Sequence, residues 1–209
     1  MKLYYAPMTC SLATHIACLE AGIDVERVRV ELWSARIEGG GDFRTINAMA
    51  QVPTIITDDG RMLTENAAVL TYVADRAAER KLAPAAGTFE RYELARWLGF
   101  VGTEIHKKGM ALVFDPTTPE TVKAFAREAI AKPLAVVEAH LAKNDYLLGA
   151  TFTVADAYLY WALTIAPFGG VPLDAYPALI AYRKRVFARP AVRAAIELER
   201  AERERAFAA

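Results

Sequence analysis

Gln51-Val52-Pro53-Thr54-Ile55-Ile56-Thr57-Asp58-Asp59-Gly60-Arg61-Met62-Leu63-Thr64-Glu65-Asn66 is the stretch on which the reading of this chain turns. A short apolar run, Thr54 to Thr57, follows Pro53. An Asp58-Asp59-Gly60 turn then leads into a second run that ends on Glu65. Pro53 has no N–H to give to a β-ladder, so it belongs at the start or edge of a strand. A cis Val52-Pro53 bond would turn the main chain of Val52 outward with its N–H and C=O both free. Such a residue pairs with an extended peptide as an added edge strand does. At Glu65 and Asn66 an apolar-periodic helix opens, and its unpaired first N–H groups attract a carboxylate. A peptide-like ligand with a terminal carboxylate suits both features.

Working outward from that stretch, the order is β-α-β-(α)-β-β-α. Leu3-Tyr4-Tyr5 reads as a strand and Ala6-Pro7-Met8-Thr9 as a loop. A helix begins near Cys10-Ser11, carries Leu12, Ile16 and Leu19 on one face, and stops at Gly22. Val28, Val30 and Leu32 alternate with Arg27, Arg29 and Glu31, the pattern of a half-buried strand. Ser34 to Gly41 is polar, glycine-rich and expected to be mobile, and Asp42 to Asn47 holds one helical turn. The helix after the central stretch runs from about Glu65 to Arg80. This order fits a small mixed α/β sheet with helices packed on it.

Lys81 to Thr88 is the clear break in composition, and a linker is expected over 81–88 between a first domain of residues 1–80 and an all-α second domain over 89–209. Phe89 to about Val113 is one long helix, with Trp97, Val101, Ile105 and Leu112 among its apolar positions. Glu120 to Asn144 is the next, kinked by Pro133. Thr153 and Asp156 form a capping box with Phe152 as its staple. Pro177 to Ala188 and Val192 to about Arg205 complete the second half.

Composition bounds the function. The 209 residues carry no formal net charge, and their distribution gives no broad basic face for nucleic acid or a membrane surface. The long uncharged run between Asp156 and Asp174 is broken by Pro167, Gly169 and Gly170, so it reads as a buried helix and a loop and not as a membrane span. Cys10 and Cys18 make no disulfide or zinc framework. With no signal-peptide pattern ahead of Leu3-Tyr4-Tyr5, a reducing, cytoplasmic setting is expected. Glu104 and the three histidines lack metal-ligand spacing, so no metal is expected.

Three candidates carry chemistry. Cys10 stands where a strand has ended and a helix begins, a place that stabilises a thiolate. Ser11 beside it offers a hydroxyl to a neighbouring sulfur. The alternative for Cys10 is a small buried filler, as Cys18 is read. No second cysteine follows at position 13, which counts against a dithiol oxidoreductase. His106 shares a helical face with Thr103 and Lys107, whereas His15 and His140 look incidental. Glu65 alone is an ordinary acid at a helix start, and its nearness to Val52-Pro53 gives it weight.

Taken together, these residues resemble the glutathione transferases, specifically the bacterial beta class. The matching stretches are the opening Met-Lys-Leu-Tyr-Tyr, Cys10-Ser11-Leu12 with His15, and Asn47 to Pro53. Leu63 to Asn66, Glu104 to Lys107 and Phe152 to Tyr158 follow in family order over nearly the whole length. The resemblance implies a thioredoxin-like first domain with a four-stranded sheet, an all-helical second domain, and a homodimer. It implies glutathione as co-substrate, with Gln51, Val52 and a cis Pro53 along its backbone and Glu65 and Asn66 at its γ-glutamyl end. Cys10, with Ser11 beside it, would lie near the glutathione sulfur, and His106, with Thr103 and Lys107, would face the site. Beta-class relatives commonly carry Lys where this chain has Ala35 and Asn where it has Gly99, departures expected to weaken glutathione binding.

The expected reaction is transfer of the glutathione thiolate to a small hydrophobic electrophile. Met8, Trp33, Met110, Val113, Phe114 and Tyr158 are candidate walls for it, with core packing the alternative for each, above all Tyr158. Glutathione-dependent thiol–disulfide exchange through Cys10 is a rival. So is a non-catalytic carrier of apolar ligands on the same fold.

Overall fold

The structure, a computed structural model, describes residues 1–208. By packing, the chain divides into two units. One comprises Met1–Leu82 together with the segment from Pro190 onward, and the other is Ala83–Arg189. The break after Leu82 falls inside the stretch expected as a linker. The last helix groups with the first unit, although sequence order places it among the helices of the second.

The first unit is built on five strands in the order β3-β2-β1-β4-β5. They are β1 (Lys2–Tyr5), β2 (Glu26–Glu31), β3 (Arg36–Ile37), β4 (Thr54–Ile56) and β5 (Met62–Leu63). β1 pairs parallel with β2 (Tyr4 with Val28) and antiparallel with β4 (Leu3 with Ile55), giving the mixed, thioredoxin-like sheet. Side chains alternate across a strand, so β1 supplies two cores. Leu3 and Tyr5 pack with Ile55 and Val69 on one face. Tyr4 packs with Val30, Ala35, Phe43 and Val52 on the other. The Tyr4 and Phe43 rings stack at 5.3 Å.

The sheet has five strands where four were expected. The extra one lies in the glycine-rich stretch read as mobile. Ile37 pairs with Val30 and Arg36 with Glu31. Ala35 turns the chain at φ 56°, and Gly40, at φ 115°, turns it back. Two paired residues are too short a run for alternation to register, so glycine content dominates the reading.

Among the described residues, this unit has three α-helices: α1 (Ser11–Ala21), α2 (Asn66–Arg76) and α9 (Pro190–Ala208). Gly22 ends α1 at φ 68°, where its N–H reaches the Cys18 and Leu19 carbonyls. α1 packs against both α2 and α9. The expected turn after Asp42 is a 3-10 turn over Phe43–Thr45, capped by the Asp42 carboxylate on the Arg44 N–H at 2.9 Å.

The second unit is all helical: α3 (Phe89–Phe100), α4 (Ala111–Phe114), α5 (Glu120–Ala129), α6 (Ala131–Leu141), α7 (Val154–Ile165) and α8 (Pro177–Phe187). Every residue of α7 is buried, the mark of a helix that forms the centre of a bundle. Its capping box is formed: the Thr153 N–H donates to Asp156 Oδ2 at 2.8 Å. The helix expected over 120–144 is two. The break falls at Ile130, which places Pro133 in the first turn of α6, where a missing N–H is tolerated. Between α3 and α4 the helix continues through Val101–Met110 in π register, shown by the Ala111 N–H bonding to the His106 carbonyl. Among the described residues, no helix is long and apolar enough to cross a membrane.

Candidate active site

The segment between β1 and α1 is knitted by its own side chains. The Thr9 N–H and hydroxyl both reach the Ala6 carbonyl, at 3.2 and 2.8 Å. Ser11 Oγ accepts the Ala6 N–H at 3.2 Å and lies 3.0 Å from Thr9 Oγ1. Ser11 is fully buried. Its hydroxyl is occupied within the loop, which is a different place from the sulfur neighbour expected of it. Cys10 caps α1, and its thiol donates to the Val52 carbonyl at 3.1 Å.

The Val52-Pro53 bond is cis. Asn47 supports the bend before it, donating to the Gln51 carbonyl and to Thr54 Oγ1, each at 3.0 Å. Gln51 is exposed and Val52 buried. Glu65, the residue ahead of α2, sits at φ 65° and ψ 121°, a backbone state rare for a side-chain-bearing residue. Backbone strain of this kind gathers at functional sites. Its side chain is exposed and has no partner among the described residues. The Glu65 carbonyl receives the Val69 N–H at 2.9 Å. The N–H groups of Asn66, Ala67 and Ala68 precede the first such bond, and α2 has no side-chain cap. Asn66 turns inward: its amide donates to the Cys10 carbonyl at 3.1 Å, with Thr14 Oγ1 at 3.5 Å. The free helix start and the Val52 main chain are each one hydrogen bond from Cys10.

In the second unit, His106 lies in the π-register segment. It is half-buried, whereas Thr103 and Lys107 are exposed, so the three do not share one environment as a common helical face would give. His106 Nδ1 is 2.6 Å from the Tyr158 hydroxyl, and its ring meets Trp161 edge-on at 4.6 Å. Burial pushes its pKa down to about 3, with the Lys107 charge adding to the effect. The imidazole is therefore neutral at physiological pH. Thr103 donates to Glu104, which also pairs with Lys108 at 3.2 Å.

Known proteins account for nearly all of the chain. Residues 7–76 match the family model for the glutathione S-transferase N-terminal domain, and 100–190 match the C-terminal one. Glutathione S-transferase GstA of Escherichia coli is 38% identical over 199 residues, which is 95% of this chain and 98% of that protein. The chain belongs to the glutathione S-transferase family. A sphingomonad glutathione S-transferase solved in complex with glutathione is 44% identical, with a TM-score of 0.91 over 95% of this chain and 98% of that one. The beta-class glutathione S-transferase of Sphingomonas chungbukensis is 40% identical, with a TM-score of 0.92 over the same shares.

Glutathione is the co-substrate of this transferase. Ala35 and Gly99, the two positions where the resemblance implied a departure, differ in their room for change. Ala35 is packed beneath Tyr4 and Phe43 at positive φ. Neighbouring Arg36 is exposed and paired with Glu31 at 3.0 Å. A Cβ on Gly99 would meet nothing within 4 Å. Sequence reasoning missed two groups. His15, read as incidental, is buried and 2.9 Å from Glu199 on α9. Tyr158, read as core, is buried but also bonds His106. Only a histidine on an otherwise apolar helix face hinted at the first, and nothing in the sequence hinted at its partner.

Proposed function

We propose that this glutathione S-transferase joins the glutathione thiolate to small hydrophobic electrophiles, acting as a cytoplasmic homodimer. One observation carries the reading. The Cys10 thiol bonds the Val52 carbonyl while the Cys10 carbonyl is held by Asn66 at the start of α2. A main chain able to pair with a peptide backbone and a helix start able to take a carboxylate therefore converge on one residue. In the reaction, Gln51, Val52 and Pro53 hold the peptide backbone, while Glu65 and the first N–H groups of α2 hold the γ-glutamyl end. The bound thiolate attacks the electrophilic carbon and the leaving group departs. The assignment of Thr103, His106 and Lys107 to glutathione handling rests on the resemblance to beta-class enzymes. Family membership supports turnover over simple carriage of ligands.

Calorimetric titration of the reduced protein with glutathione, alongside Cys10→Ala, tests the reading. Saturable binding at one site per chain is expected, with conjugation of an activated aryl halide retained in part by the variant. No binding up to several millimolar, weaker than about −3 kcal/mol, would sink it. A second reading is favoured by the placement of Cys10 at the cap of α1, where a thiolate is stabilised. It is thiol–disulfide exchange, in which the Cys10 thiolate attacks a glutathione mixed disulfide and the partner thiolate leaves. Reduction of such disulfides that vanishes in Cys10→Ala, with conjugation spared, would favour it.

A further inference from the structure

Glu199 of α9 is fully buried, although it is a carboxylate. Such a group is kept out of water only when partners hold it, and among the described residues it has two. Oε1 lies 2.9 Å from Nδ1 of His15 on α1, and Oε2 accepts the Met8 N–H at 2.7 Å. Met8 sits at φ 62°, in the left-handed region that residues with side chains rarely occupy. It lies two residues before Cys10, so one hydrogen bond from the last helix fixes the turn that delivers the thiol. The next turn of α9 repeats the device. Glu202 accepts the Tyr5 hydroxyl at 2.9 Å and pairs with Arg27 at 2.7 Å, gripping the end of β1.

We propose that Glu199 is a positioning residue for the glutathione site. Oriented by His15, it holds Met8 left-handed and so sets the Thr9-Cys10-Ser11 segment against Val52. The role rests on the reading of Cys10 and Val52 as the glutathione site, and its test separates the two ideas. Glu199→Ala and Glu199→Gln are compared with the wild type by alkylation with iodoacetamide, followed cysteine by cysteine by mass spectrometry, and by glutathione titration. Cys18 is fully buried, and burial pushes its thiol up to about 12, so its labelling reports loss of the fold.

In Glu199→Ala, Cys10 should label faster and glutathione affinity should fall, each on the order of tenfold, the worth of one charge-assisted hydrogen bond, with Cys18 unlabelled. Glu199→Gln still accepts the Met8 N–H through its amide oxygen and should stay within about threefold of wild type. A Glu199→Ala protein that only melts earlier, with Cys10 labelling and glutathione affinity unchanged, would overturn the proposal. So would a Gln variant no better than Ala. Should labelling of Cys18 show that Glu199→Ala does not fold, Glu199→Asp, one methylene short of Met8, decides the matter by the same readouts. If the wild type fails to bind glutathione, the transferase reading falls, while the Cys10 labelling rates still decide the role of Glu199.

Discussion

His106 shows at the scale of one residue how a half-buried group writes itself into pH dependence. Burial takes its pKa from the ordinary 6.5 down to about 3. Between those values the unfolded chain binds the extra proton, so stability rises with pH across the window and is lost as the solution is acidified. Asp156 runs the other way. Burial raises its carboxyl from 3.8 to about 6, so the stability it carries when protonated fades as pH climbs between those values. The two slopes oppose each other over the Asp156 window, and only a difference between proteins isolates the histidine. His106→Gln should gain melting temperature relative to wild type steadily as pH falls from 6.5 toward 4. At pH 7.5 the two should lie within roughly 1 kcal/mol, the net worth of the Tyr158 hydrogen bond. A gap that stays constant over this range would mean that the imidazole titrates alike in both states.

At the scale of elements, the helix over 89–114 carries an unusual register and a tight crossing. Gly109, in the π segment, approaches Ile130 at the break between α5 and α6. A Cβ there would stand 2.7 Å from Ile130 Cδ1, closer than atoms pack. Ile130 is fully buried and has little room to retreat. Alanine would add about 1 kcal/mol as a helix former, but overpacking costs typically 1–3 kcal/mol. Gly109→Ala should therefore lower the urea midpoint with an unchanged m-value, and a raised midpoint would show that the crossing yields. The sequence makes the helix legible because its apolar spacing is local. The π register is not legible, because the few apolar positions of this segment, Val101, Ile105 and Met110, are too widely spaced to tell a wider turn from an ordinary one. The same contrast runs through the site. Cys10, Val52-Pro53 and Glu65 each announce themselves by neighbours in the chain: a strand end, a proline, a helix start. The inward turn of Asn66 toward Cys10 and of Tyr158 toward His106 depends on partners 56 and 52 positions away, which no local pattern encodes.

At the scale of the whole molecule, α9 makes the thioredoxin-like unit discontinuous in sequence. Val192, Ala195 and Ile196 are buried on it, and Glu199 and Glu202 reach Met8, His15, Tyr5 and Arg27 from it. A fragment of residues 1–82 lacks this helix. It would expose the α1 face that α9 covers, strand His15 without its carboxylate, and leave the Met8 N–H unpaired, each a loss of about 1–3 kcal/mol for buried groups. Set against the few kcal/mol by which a domain of this size is stable, that is enough to unfold it. The fragment should show no cooperative thermal transition by circular dichroism. Joining residues 190–209 to it through a flexible linker should restore one, because the missing contacts are supplied by the chain itself and the loop-closure cost grows only slowly with linker length. Cooperative melting of the bare fragment at the same temperature as the joined one would mean that α9 rests on a domain already complete, and that the loop before Cys10 keeps its shape without help.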